Sequence, residues 1–127
     1  MSDITFSPGI DADTKARTEE FFRLVQVDET LDTDLRRLVE EGIDLNARDN
    51  DAWSALSWAA NKGCTETVRE LLKQGINIEA TGNIRWRALM WAGYNGHIET
   101  VRELLNQGAN IEASNNDGWT ALLLAAM

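Results

Sequence analysis

The chain has one cysteine, one proline and one histidine among its 127 residues. With Cys64 alone no internal disulfide is possible, so stability has to come from burial, and the pattern suits a reducing, cytoplasmic or nuclear setting. Long apolar runs are missing too. The longest, Ala121–Met127, is far too short to span a bilayer, and the first residues are polar rather than a signal peptide. Basic residues are also scarce: 12 Lys and Arg stand against 21 Asp and Glu, a net charge of −9. Such a surface repels phosphate backbones and anionic lipid, which argues against nucleic acid and membrane as partners. The deficit is uneven, with 14 acids and 7 bases in residues 1–63 (−7) against 7 acids and 5 bases in residues 64–127 (−2).

Signatures of catalysis are absent as well. There is no Gly-x-Ser-x-Gly, no phosphate-binding loop and no Gly-x-Gly-x-x-Gly, and no metal-ligand spacing. Asp28, Asp32 and Asp34 lack the central Gly and final Glu of a calcium loop, so they read as a solvated face. Cys64 and His97 share one register position, which suggests a Cys–His nucleophile. No third group orients the base, however, and a helix-starting role suits both better. No enzymatic activity, cofactor or metal is expected.

What the chain does have is repetition. Residues Gly63–Ala80 and Gly96–Ala113 agree at 14 of 18 positions, at an offset of 33. The same offset relates Trp53, Trp86 and Trp119, then Leu56, Leu89 and Leu122, then Ala59, Ala92 and Ala125. A fixed period of this size means a stacked array, in which each unit buries a face only against its neighbours.

Taken in order, residues 1–17, with Pro8, Gly9 and scattered aspartates, read as a flexible or loosely docked leader. A helix is expected from about Thr18 to Val27 and a second from Leu31 to Glu40, ended by Gly42. Together these make a degenerate first copy, residues 18–48, with a charged outer face suited to a terminal cap. Further copies occupy 49–81 and 82–114, and a truncated fourth occupies 115–127. Short helices are expected at Ser54–Asn61, Arg87–Tyr94 and Thr120–Ala126, and longer ones at Thr65–Gln74 and Ile98–Gln107. The i, i+3, i+4 spacing of Val68, Leu71 and Leu72 gives each longer helix one apolar stripe.

These residues resemble the ankyrin repeat family, whose pattern runs Asp-x-x-Gly-x-Thr-Pro-Leu-His-x-Ala-Ala-x-x-Gly-His, then Val-x-x-Leu-Leu and Gly-Ala. Asp49, Leu56, Ala59, Ala60, Gly63, Val68, Leu71, Leu72 and Gly75 stand at those places, and Asp117–Ala126 matches as well, with Gly118, Thr120, Leu122, Ala125 and Ala126 in register. The resemblance implies an all-α solenoid of helix-turn-helix units joined by hairpin-like turns. At Thr-Pro-Leu-His the chain departs, with Ser54 to Ser57, Arg87 to Met90 and Thr120 to Leu123 in its place. The third copy departs further, with Gly82 at the Asp, Arg85 at the Gly and Arg87 at the helix-capping Thr. Arg87 cannot accept the capping bond, and its charge meets the positive end of the helix dipole.

By the same resemblance, function lies in binding a protein on the concave face of turn tips and short helices. The expected contact residues are Trp53, Lys62, Ile84, Arg85, Trp86, Arg87, Met90, Tyr94, Asn95 and Trp119. An acidic or aromatic segment is the expected partner, with Arg to carboxylate and Trp to an apolar anchor. The competing reading has the arginines lie over Trp86 and pair with Glu79 or Asp51, while Trp53 and Trp119 fill space between copies. Trp58 and Trp91, before the paired alanine positions, are expected in the core. Asn46 matches the place where ankyrin asparagines are hydroxylated. Ala121, Leu122, Leu123 and Leu124 form an apolar end, which reads as a fragment's edge, a homodimer contact through which units self-assemble, or a natural terminus.

Overall fold

The computed structural model describes residues 4–82, 86–113, 120 and 126. Six helices follow in order: α1 (Ala12–Val25), α2 (Asp32–Glu41), α3 (Ala55–Lys62), α4 (Thr65–Lys73), α5 (Ala88–Tyr94) and α6 (Ile98–Asn106). They stack in two layers. Helices α1, α3 and α5 pack side by side in one, and α2, α4 and α6 in the other, with each pair joined across the layers. Among the described residues β pairing is limited to isolated bridges, such as the antiparallel one between Thr5 and Arg48, so the all-α solenoid is what forms.

The stripes read from the sequence face the interior. Leu35 and Val39 of α2, Val68 and Leu71 of α4, and Leu104 of α6 are buried, together with Leu56, Ala59 and Ala60 of α3 and Leu89 and Ala92 of α5. Each fully buried aliphatic side chain of this size contributes roughly 1.5–3 kcal/mol, against about 0–1 kcal/mol for an exposed ion pair such as Arg23–Glu20, so burial dominates.

Between copies, polar bonds fix the register. The Asp32 carboxylate accepts from the backbone N–H groups of Glu66 and Thr67, each at 2.9 Å, and from the Thr67 hydroxyl at 2.5 Å. Cys64, at the N-cap of α4, makes no side-chain capping bond, so the preceding copy supplies the missing acceptor. Asp32 is therefore a structural cap, which corrects the expectation of a solvated acidic cluster. One copy further on, the same two register positions are joined by Thr65 Oγ1 and Thr100 Oγ1, 2.7 Å apart. Gln74 also reaches back to the Val39 carbonyl at 2.8 Å.

Residues 4–17, expected as a leader, belong to the packed structure. Asp11 caps α1 by accepting from Thr14 N at 2.7 Å, so the helix starts six residues before Thr18. Ile4 and Phe6 pack against the core, and Thr5 exchanges backbone bonds with Arg48 at 2.7 and 3.1 Å. The Ser7 N–H and hydroxyl both donate to Asp44, at 2.6 and 2.7 Å.

Asp32→Ala removes the acceptor for three donors and is expected to destabilise the fold by about 1.5–3 kcal/mol. Urea denaturation reads this as a lower midpoint at unchanged slope; a loss under about 0.5 kcal/mol would contradict the capping role.

Candidate functional site

The turns that precede α3 and α5, and the exposed faces of those helices, carry the aromatic residues. Asp49 organises the first turn. Its Oδ1 accepts from Asp51 N at 3.0 Å and Trp53 N at 2.9 Å, while its Oδ2 accepts from the Trp58 indole N–H at 2.8 Å. One carboxylate thus fixes the turn and orients a ring on the following helix. Ala52 sits in this turn at φ 64, a left-handed conformation that disfavours any side chain with a Cβ. Its carbonyl accepts from Arg48 at 3.1 Å, and Arg48 also donates to Thr81 O at 2.9 Å, which ties two successive turns together. Gly82 stands where the next copy would carry an Asp, and a Cβ there would lie 3.2 Å from Ala52 O.

The rings form a continuous ladder across both copies. Trp53 lies between Trp58 and Trp91, with centroids at 4.3 and 4.2 Å and planes tilted by 32° and 31°. Trp91 in turn contacts Trp86 at 4.3 Å and 39°, and Tyr94 meets Trp86 edge-on at 5.6 Å and 84°. Turn and helix aromatics of neighbouring copies therefore interleave. All four indoles are half-buried and Tyr94 is 51% exposed. Trp58 and Trp91, expected in the core, are half-buried ladder members: Trp58 packs against the core and on Trp53, and Trp91 lies between Trp53 and Trp86.

Polar side chains run beside the ladder, one helical turn beyond Trp58 and Trp91. Asn95 Nδ2 donates to Asn61 Oδ1 at 2.8 Å and to Trp91 O at 2.9 Å, and Lys62 pairs with Asp28 at 3.1 Å. His97 reaches Asn61 O at 2.9 Å, and its ring lies over Gly63, where a Cβ would fall 2.6 Å from Nδ1. That contact, with φ 73 at Gly63, explains the glycine.

Of the expected contact residues, the structure brings together Trp53, Trp86, Tyr94, Asn95 and Lys62. Met90 is 1% exposed in the core and is not available to a partner, because its position on α5 points between copies. Arg87 pairs with Glu79 at 3.1 Å, and the other Glu79 oxygen accepts from Asn110 N at 2.7 Å. As expected, Arg87 makes no side-chain capping bond to α5; the Glu79 carboxylate instead balances its charge near the helix start. Ile84, Arg85, Trp119 and Ala121–Leu124 lie outside the described residues. Asn46 is exposed in a turn. Missed from sequence was the role of Asp49; the family Asp before each turn was the available signal.

Cys64 is buried, and burial first, then the Asp32 charge, pushes its thiol from an ordinary value of 9.0 up to about 11, against the opposing pull of Lys62. A thiol held neutral in this way is a poor nucleophile. No cluster of His, Cys, Asp or Glu suited to a metal occurs among the described residues, and none of their helices is long and apolar enough to cross a membrane.

A family model described as ankyrin repeats (3 copies) matches residues 27–82 and 81–127. A search of curated proteins finds no match.

Two outcomes are expected. Native Cys64 resists alkylation at neutral pH and reacts once the chain unfolds in urea; fast native labelling would contradict its burial. The raised thiol pKa adds stability that is fully present below the unfolded value and is lost as pH rises through about 11. Ala52→Gly relieves a left-handed side chain worth about 1–2 kcal/mol while adding about 0.5–1 kcal/mol of chain entropy, so thermal denaturation should show a net gain of up to about 1.5 kcal/mol.

Proposed function

The chain belongs to the ankyrin repeat family, whose repeats mediate protein–protein interaction, and on that premise we propose a non-catalytic capture module that binds its partner across the aromatic ladder. The observation that carries this reading is the ladder itself: four half-buried indoles and an exposed tyrosine form one continuous surface over two copies. Indole and phenol rings supply large, rigid contact area at small entropic cost, and they dominate the energetic centres of interfaces. The bonded row of Asn61, Asn95, Lys62 and Asp28 beside it forms a polar rim.

The expected acidic or aromatic partner rests on Arg85 and Arg87 for a carboxylate and on Trp86 for an apolar anchor. An aromatic or apolar anchor keeps its support from the ladder, whereas the Arg87 charge is engaged by Glu79. Self-assembly through Ala121–Leu124 is the alternative, and a concentration-independent mass near 14 kDa in light scattering would argue against it. The lone buried cysteine supports a reducing compartment, cytoplasm or nucleus.

Tyr94→Ala combined with Trp86→Ala is expected to weaken partner binding by about 2–4 kcal/mol, or roughly 30- to 1000-fold, with helical content retained by circular dichroism. Arg37→Ala, on the exposed face of α2, is the control. Equal binding by the ladder variant and the control would place the interface elsewhere.

A further inference from the structure

Resting on the ladder as the binding surface, we infer that its occupant is an extended peptide segment carrying Lys or Arg. Three observations converge on this class. The first is donor arrangement. Trp58 gives its indole N–H to Asp49, but among the described residues no acceptor meets the indole N–H groups of Trp53, Trp86 and Trp91. Donors carried on half-buried rings over two copies, beside the Asn61 amide, match the carbonyls of a main chain lying along them. A helix satisfies its own carbonyls and offers no such row.

The second is ring packing. At 4.2–4.3 Å between centroids the indoles leave no gap for a guest ring to enter, so an occupant lies along their edges. Long aliphatic stems cover such an apolar strip while their charged ends reach past it. The third is charge. The chain carries −9 overall, and −7 of it lies in residues 1–63, the half that includes the Trp58 end of the ladder. Among the described residues the local cations are already engaged: Lys62 by Asp28, Arg87 by Glu79, and Arg48 by two carbonyls. Asp51, in the Trp53 turn, is exposed, and so is Glu29, which holds in the first copy the register of Lys62 and Asn95. These two carboxylates are the receivers for incoming ammonium or guanidinium groups, and the long-range field steers a cationic segment to them.

The test uses the whole chain and its indole fluorescence. Three synthetic nine-residue peptides are titrated: alternating Lys and Gly, alternating Glu and Gly, and alternating Leu and Ser as an apolar control. The inference expects saturable binding of the Lys peptide alone. That binding should weaken about three- to tenfold in the Glu29→Gln/Asp51→Asn variant, and should weaken further on raising salt from 0.05 to 0.2 M. The variant alters two exposed groups, so its unfolding midpoint should match that of the parent. Preference for the Glu or the Leu peptide would overturn the cationic occupant while leaving the ladder as the site. No response to any peptide, with the partner cross-linking to the α2, α4 or α6 layer, would overturn both. Lys-peptide binding unaffected by the double variant and by salt would also overturn the inference.

Discussion

Each copy of this motif is too small to bury its own apolar stripe, so the structure exists only as far as neighbours are held in register. Burial of Leu35, Val39, Val68, Leu71 and Leu104 supplies the favourable energy, but apolar contact alone permits sliding by a helical turn. Directional bonds remove that freedom. Asp32 on α4, Thr65 on Thr100, Gln74 on the Val39 carbonyl, and Asn95 with His97 on Asn61 all reach across roughly one period. Exact stacking in turn decides which surface side chains of adjacent copies meet.

The aromatic ladder is a product of that register. A turn indole at one copy and a helix indole at the next face one another only when the turns are held at a fixed offset, which Arg48 does by joining the Ala52 and Thr81 carbonyls. Asp49 then sets both the turn that presents Trp53 and the ring of Trp58. The left-handed Ala52 and the uncapped Arg87 are local costs in the same region. They are offset by the close approach of Gly82 and by the Arg87–Glu79 pair respectively. Cost accepted around one surface while the rest follows local rules is the pattern expected of a binding site.

Much of this was legible in the sequence. The 33-residue offset, the glycines and the i, i+3, i+4 stripes give the helices to within a residue or two from α2 onward, because each is a local periodic signal. The start of α1 was not, since Pro8 and Gly9 suggest a free leader while Asp11, only three residues before Thr14, is already a cap. Asp32 looked solvated because its acceptor role lies on a helix more than 30 residues away. Met90 is expected at the contact surface with Tyr94 on the same short helix, yet one helical turn separates an exposed Tyr94 from a Met90 turned inward. Trp58 and Trp91 depart less. Hydrophobicity places them inside, and they are half-buried, Trp58 against the core; only the geometry of stacking shows that other tryptophans cover their faces.

The most direct measurement is of the indole N–H resonances in a nitrogen–proton correlation spectrum recorded with and without the bound partner. Binding across the ladder shifts the signals of Trp53, Trp86 and Trp91, while that of Trp58, held by Asp49, stays nearly in place. Shifts confined to backbone signals of α2, α4 and α6, with all the ladder indoles unmoved, would contradict it.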